Sequence, residues 1–130
     1  MKDAMPNNNL TGRRVLIVED EAMIAMMIED MLTDLGCEVV GPASQIAQAL
    51  RVIKSEEFDA AILDVNLNGV QIFPVAEALH AKGVPFVFAT GYGASGISRE
   101  YSDRLVLQKP FKQQQLEKAL NVVLGRSAAG

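Results

Sequence analysis

Residues 14–24, RVLIVEDEAMI, decide how the rest of the chain is read. Four apolar residues, Val15 to Val18, run directly into three acids, Glu19, Asp20 and Glu21, and then into an apolar pattern of helical spacing. A short continuous apolar run is what a strand buried on both faces looks like, as in a parallel sheet. Such a strand delivers its chain end into a knot of negative charge. The helix dipole favours acids in a first turn, which accounts well for Glu21 but only in part for Glu19 and Asp20.

Outward from this stretch, strand-like runs alternate with helical patterns. EAMIAMMIEDMLTDLG places Met23, Met26, Met27, Met31, Leu32 and Leu35 near helical spacing and stops at Gly36. Its methionine-rich face reads as core packing, because methionine fills irregular gaps, and Glu29, Asp30 and Asp34 read as a solvated face. CEVVGPA is a second strand, and SQIAQALRVIKSE a second helix with Ser44 as its expected N-cap. FDAAILDV, PFVFAT and RLVLQ are strands three to five. QIFPVAEALHAKG and KQQQLEKALNVVLG are helices, and SREYSD is a short, weak one. Alternation of this kind implies right-handed crossovers and a parallel sheet covered on both faces. Residues 1–11 are expected to form a flexible tail, 12–125 the domain, and 126–130 a short C-terminal tail.

Bulk composition removes several function classes. The chain has 130 residues, enough for one domain with a real core. It has no apolar block of bilayer-spanning length, and its start, MKDAMPNNNL, lacks the apolar segment of a secretory signal. A cytoplasmic location with no membrane partner is the expectation. The net charge of −4 argues against nucleic acid as a partner. A single cysteine, Cys37, excludes an internal disulfide and any multi-cysteine metal site. It reads as a buried small hydrophobe in preference to a reactive thiol. The one histidine, His80, lies near a helix end and reads as a dipole partner in preference to a ligand or base.

In an open parallel sheet, ligands bind beyond the carboxyl ends of the strands. Those ends carry Glu19–Asp20, Asp64, Thr90 and Lys109. Taken singly, Thr90 is an ordinary strand-end hydroxyl, Lys109 a solvated lysine and Asp64 a cap for the turn at Asn68–Gly69. Taken together they make a coherent site. Neighbouring strands lie roughly 5 Å apart, so carboxylates on adjacent ends can share an ion. Two like charges about 4 Å apart repel by about 4 kcal/mol at a surface-like effective dielectric, so clustered carboxylates call for a cation. An all-oxygen donor set suits Mg²⁺. Lys109 adds a positive charge and Thr90 a donor for an anion, and Asp64, alone at its strand end, is the best nucleophile for a phosphoryl group.

The ordered set VEDE, LDVNLNG, FATGY and LQKPF resembles a response-regulator receiver domain of two-component signalling, the CheY-like family, across residues 13 to 125. The resemblance implies a doubly wound, flavodoxin-like α/β fold: a five-stranded parallel sheet of order 2-1-3-4-5 with five helices. It implies Asp64 as phospho-acceptor, with Mg²⁺ held by Asp20, Asp64 and the backbone carbonyl of Asn66, and with Glu19 acting through a metal-bound water. Thr90 would swing toward the phosphoryl group and Lys109 would pair with it. Lys109–Pro110 resembles the family's cis peptide, which would position the lysine. The implied partners are a sensor histidine kinase or phosphotransferase and a downstream protein target. The implied chemistry is Mg²⁺-dependent self-phosphorylation and dephosphorylation, not turnover of a free substrate.

One position departs from the family. Receivers usually carry an aromatic three residues before the lysine, and here that place is Val106. PFVFATGYG is instead similar to an atypical subgroup, found largely in alphaproteobacteria, marked by a Phe-Ala-Thr-Gly-Tyr signature. There Tyr92, in a glycine-flanked loop, is either the moving aromatic of the switch or a packing residue over the following short helix; the two readings weigh evenly. Two rival functions stand beside the receiver. A haloacid-dehalogenase-like phosphatase would need a second aspartate where Asn66 stands. A phosphorylation-independent interaction module would have no use for the full acid, threonine and lysine set. The expectation is a stand-alone receiver, or one excised from a hybrid kinase.

Overall fold

The computed structural model describes residues 10–67, 69–91 and 104–129. Strand β1, Arg14–Val18, leads into helix α1, Ala22–Asp34, and then β2, Glu38–Ala43, α2, Ile46–Ser55, and β3, Ala60–Asp64. A small antiparallel hairpin comes next, pairing Asn66 with Gln71 and Leu67 with Val70. Then come α3, Phe73–Lys82, β4, Phe86–Thr90, β5, Val106–Gln108, and α4, Gln113–Ala129. The five long strands form one parallel sheet of order β2-β1-β3-β4-β5. This is the expected doubly wound order. The expected short helix at SREYSD, the turn residue Asn68 and the switch candidate Tyr92 lie outside the described residues.

Strand geometry explains why β1 is apolar throughout. Successive side chains point to opposite faces. Val15 and Ile17 join Ile28, Leu32, Ile62, Val87, Leu116 and Leu120 in the core under α1 and α4. Leu16 and Val18 join Ala49, Ile53, Leu63, Val75, Leu79, Phe86 and Phe88 in the core under α2 and α3. Phe86 and Phe88 meet edge to face, with ring centroids 5.4 Å apart, a geometry that the ring quadrupoles favour. Helix α3 opens with Pro74 in its first turn and closes on Gly83, whose left-handed backbone lets the chain turn into β4.

Four local expectations are corrected. The methionine face of α1 does not pack in the core: Met23, Met26 and Met27 are exposed by 80%, 61% and 47%. The buried stripe is Ala25, Ile28 and Leu32, at spacings of three and four, and of these methionines Met31 alone leans against the core, beside Ile24. Ser44 does not cap α2, which begins one residue later behind Gln45; the Ser44 amide and hydroxyl both donate to Gln48 Oε1. Leu10, expected in the flexible tail, is fully buried, because the turn after it is tied down by the Gly12 amide donating to the Gly36 carbonyl. Helix α4 continues past Gly125 to Ala129, into the stretch expected to be a tail. Among the described residues no helix is long and apolar enough to cross a membrane.

Candidate functional site

Sheet register sets the site. Val18 pairs with Leu63, Asp64 with Ala89 and Thr90 with Gln108, so β1, β3, β4 and β5 end in a row. Glu19 and Asp20 come immediately after β1, and Lys109 immediately after β5. The Lys109 amide donates to the Thr90 carbonyl at 2.8 Å, which carries the β4–β5 pairing one step further. Among the described residues the buried polar or charged ones are Glu19, Asp64 and Thr90. All three stand at this one edge. Burying a charge is costly without partners, so their shared location needs a reason beyond solubility.

Lys109 supplies part of that reason. Its side chain is 12% exposed, and Nζ lies 2.7 Å from Glu19 Oε1 and 3.4 Å from Asp64 Oδ1. Burial works to lower the Lys109 pKa, but the hydrogen bond to Glu19 and the charges of Asp64 and Glu19 outweigh it and hold the amine above its ordinary 10.5. The other Glu19 oxygen accepts the Glu21 amide at 3.1 Å, at the entry to α1. The backbone at the helix entrance therefore fixes the acid, while the first turn of α1 itself holds no acid: Glu21, expected there, is the residue before it.

One carboxylate oxygen each from Glu19, Asp20 and Asp64 lies within 4.8 Å of the others. Three carboxylates against one ammonium leave two negative charges in a mostly buried space. Oxygen donors alone, converging and over-supplied with negative charge, fit a hard divalent cation such as Mg²⁺. Asn66 lies on the first arm of the hairpin, two residues beyond Asp64, in the right place along the chain for a backbone ligand. The Lys109–Pro110 peptide is cis, as the resemblance implied, with Pro110 exposed beside the site. Val106 is half-buried and pairs with Phe88, so no aromatic stands at the position where receivers usually have one.

One contact lay beyond sequence reasoning: the direct Lys109–Glu19 pair. Lys109 comes after β5 and Glu19 after β1, three strands apart in the sheet. Strand spacing shows which neighbouring ends can meet, but not that a long side chain crosses the whole row.

Comparison with known proteins agrees with this geometry. The family described as "Response regulator receiver domain" matches residues 15–121. SdrG from Sphingomonas melonis Fr1, solved in solution, is 48% identical; the match covers 87% of this chain and 97% of SdrG, with a TM-score of 0.80. Chemotaxis protein CheY of Thermotoga maritima is 31% identical over 119 residues, covering 86% of this chain and 98% of CheY. Transcriptional regulatory protein PdtaR of Mycobacterium tuberculosis is 30% identical over 118 residues, and there the chain spans only 58% of its relative. The chain thus belongs to the response-regulator receiver domains, signalling switches of two-component systems and not classical enzymes.

Proposed function

We propose that Asp64 accepts a phosphoryl group, with Mg²⁺ held by Asp20, Asp64 and the backbone carbonyl of Asn66, and with Glu19 contributing through a bound water. The observation that carries this reading is the burial of Asp64 beside two further acids and within reach of the Lys109 amine. A solved receiver domain of the sensor histidine kinase PA1611 from Pseudomonas aeruginosa PAO1, 28% identical, holds a magnesium ion in its active-site cleft, which supports the assignment. When bound, Mg²⁺ supplies positive charge that offsets the carboxylates and the oxygens of an arriving phosphoryl group.

The residues divide the work. An Asp64 carboxylate oxygen attacks phosphorus, and the bond from phosphorus to the donor breaks: a P–N bond for a phosphohistidine, a P–O bond for an acyl phosphate. The electron pair of the broken bond goes to the leaving group: a histidine imidazole, which takes its proton from solvent, or a carboxylate, which needs none. Lys109 is already within reach of Asp64 and exchanges part of its contact with Glu19 for the new phosphoryl oxygens. Thr90, buried at the next strand end, is the neutral donor that moves toward them. Phosphorylation brings about −1.5 to −2 charges and three acceptor oxygens to this edge, enough to draw Thr90 toward them. Tyr92 is our candidate for the aromatic that reports the change, in the absence of one at Val106. Tyr92→Ala is expected to leave phosphate uptake intact and impair partner binding. The donor would be a sensor histidine kinase or phosphotransferase, the recipient of the signal a downstream protein, and the setting the cytoplasm.

Incubation with acetyl phosphate and Mg²⁺, with intact mass as the readout, tests the proposal. A gain of one phosphate that needs Mg²⁺ is expected, with no steady turnover of p-nitrophenyl phosphate. Sustained ester hydrolysis without uptake would favour the phosphatase, whose general acid Asn66 cannot supply.

A further inference from the structure

We infer that Gly41 is a positioning residue for the acidic site, because the one-residue bulge it permits in β2 holds the Glu19–Asp20 backbone where the carboxylates converge. This rests on the reading of that site as a Mg²⁺-dependent phospho-acceptor centre. Strands β1 and β2 pair from Arg14–Glu38 to Leu16–Val40, and then the register shifts so that Val18 faces Ala43. Two steps along β1 are thus matched by three along β2. The additional residue falls at Gly41–Pro42.

Two independent constraints require glycine there. Its φ is +91°, a region L side chains rarely adopt. A Cβ at this position would also lie 2.9 Å from the Ala43 amide nitrogen and 3.0 Å from the Ile17 carbonyl oxygen. Both are backbone atoms of the paired strands, so neither can swing aside.

The bulge sets the last tie between β1 and its neighbour before the acids, where the Glu19 amide donates to the Ala43 carbonyl at 2.9 Å. A one-residue slip moves a strand's side chains to the other face, so an unbulged β2 would set Pro42 opposite Val18 and draw Ala43 out of the place where it is buried and pairs with Glu19. From the anchored Glu19 backbone, one carboxylate oxygen reaches Lys109 and the other the Glu21 amide, with Asp20 next in the chain. Bulges re-aim a chain where pairing ends, and outer partners of metal-binding residues hold their orientation.

The test compares Gly41→Ala with Gly83→Ala in the full chain. Gly83 also lies at positive φ, +80°, but a Cβ there meets nothing within 4 Å, and it precedes β4 at the opposite end of the sheet. Urea denaturation in metal-free buffer reads stability, and titration of amide shifts with Mg²⁺ alone reads affinity. Both variants are expected to lose stability, but only Gly41→Ala should bind Mg²⁺ at least about tenfold more weakly, as loss of an outer partner does. A folded Gly41→Ala that binds Mg²⁺ like wild type, or no more weakly than Gly83→Ala, overturns the role of Gly41 while leaving the site intact. Should Gly41→Ala not fold, amide hydrogen exchange of the wild type decides. The Glu19 amide is expected to exchange as slowly as those of β1, and more slowly still with Mg²⁺. Exchange at loop rates, or indifference to Mg²⁺, overturns the inference. A wild-type chain that binds no Mg²⁺ overturns the reading of the site and the inference with it.

Discussion

The two ends of the sheet both gather charge, and they do it in opposite ways. At the amino end, Arg14 sits between Glu38 at 3.5 Å and Glu56 at 3.2 Å, and its amide donates to Asp59 at 2.8 Å. Arg13 reaches Asp59 at 3.7 Å, and Lys82 donates to the carbonyls of Ile53 and Glu56 at the end of α2. Opposite charges are interleaved there, and Arg13, Asp59 and Glu38 are well exposed. At the carboxyl end, three acids face one lysine, and two of the acids are buried. Interleaved surface pairs are worth little and fasten loops to strands. A buried excess of one sign is unfavourable to the metal-free fold and makes sense only with something to bind. The comparison separates charge that serves the fold from charge that serves the site.

Asp20→Ala should have the largest effect, at the carboxyl end of the sheet. It should weaken Mg²⁺ binding by at least about tenfold, and far more than Glu19→Gln, because of these two residues Asp20 alone is assigned a direct contact. Calorimetric or NMR titration measures both. Equal losses would erase the division between them.

Lys109→Ala acts in the other direction. It should leave Mg²⁺ binding unchanged or slightly tighter, because a nearby positive charge is gone, while blunting the structural response to phosphorylation. Without metal it leaves Glu19 buried and unpaired by its lysine, at a cost of up to about 3–5 kcal/mol by urea denaturation. The linked pH effect has a fixed sign. The folded pKa of Lys109 lies above 10.5, so its contribution is fully present below about that pH and is lost as pH rises through the folded value. The metal-free variant should therefore show a shallower alkaline fall in stability than wild type.

Arg13→Ala, at the other end, is the smallest effect. Its pair with Asp59 is long and two-fifths exposed, so stability should change by less than about 0.5 kcal/mol and Mg²⁺ affinity not at all. A measurable loss of Mg²⁺ binding there would mean that the two ends are coupled.

Most of the fold and the site was legible in the sequence where one physical rule governed one stretch. The apolar run Val15 to Val18 had to be a central strand, because both of its faces would otherwise meet water. The strand-end acids, threonine and lysine could be gathered into one site once the sheet was parallel. Features that could not be read depended on two segments at once. Which stripe of α1 faces the core is set by its docking angle, and the sequence offered methionines, isoleucines and leucines on several faces; Ala25, Ile28 and Leu32 were the ones chosen. The burial of Leu10 depends on the turn at Gly36, far along the chain. The β2 bulge at Gly41 appears only in the pairing with β1, and the Lys109–Glu19 contact only across four strand ends.

As proposed above, this buried excess of acid serves to seat the metal and let one residue, Asp64, take the phosphoryl group. Reductive trapping reads that most directly. The chain is treated with acetyl phosphate and Mg²⁺, reduced with borohydride, which converts an aspartyl phosphate to homoserine, and mapped by peptide mass. Homoserine at position 64, dependent on Mg²⁺ and absent in a folded Asp64→Asn chain, is the predicted result. Trapping at Asp20 or Asp59 in its place, or undiminished phosphate uptake by Asp64→Asn, would remove Asp64 from the role of acceptor.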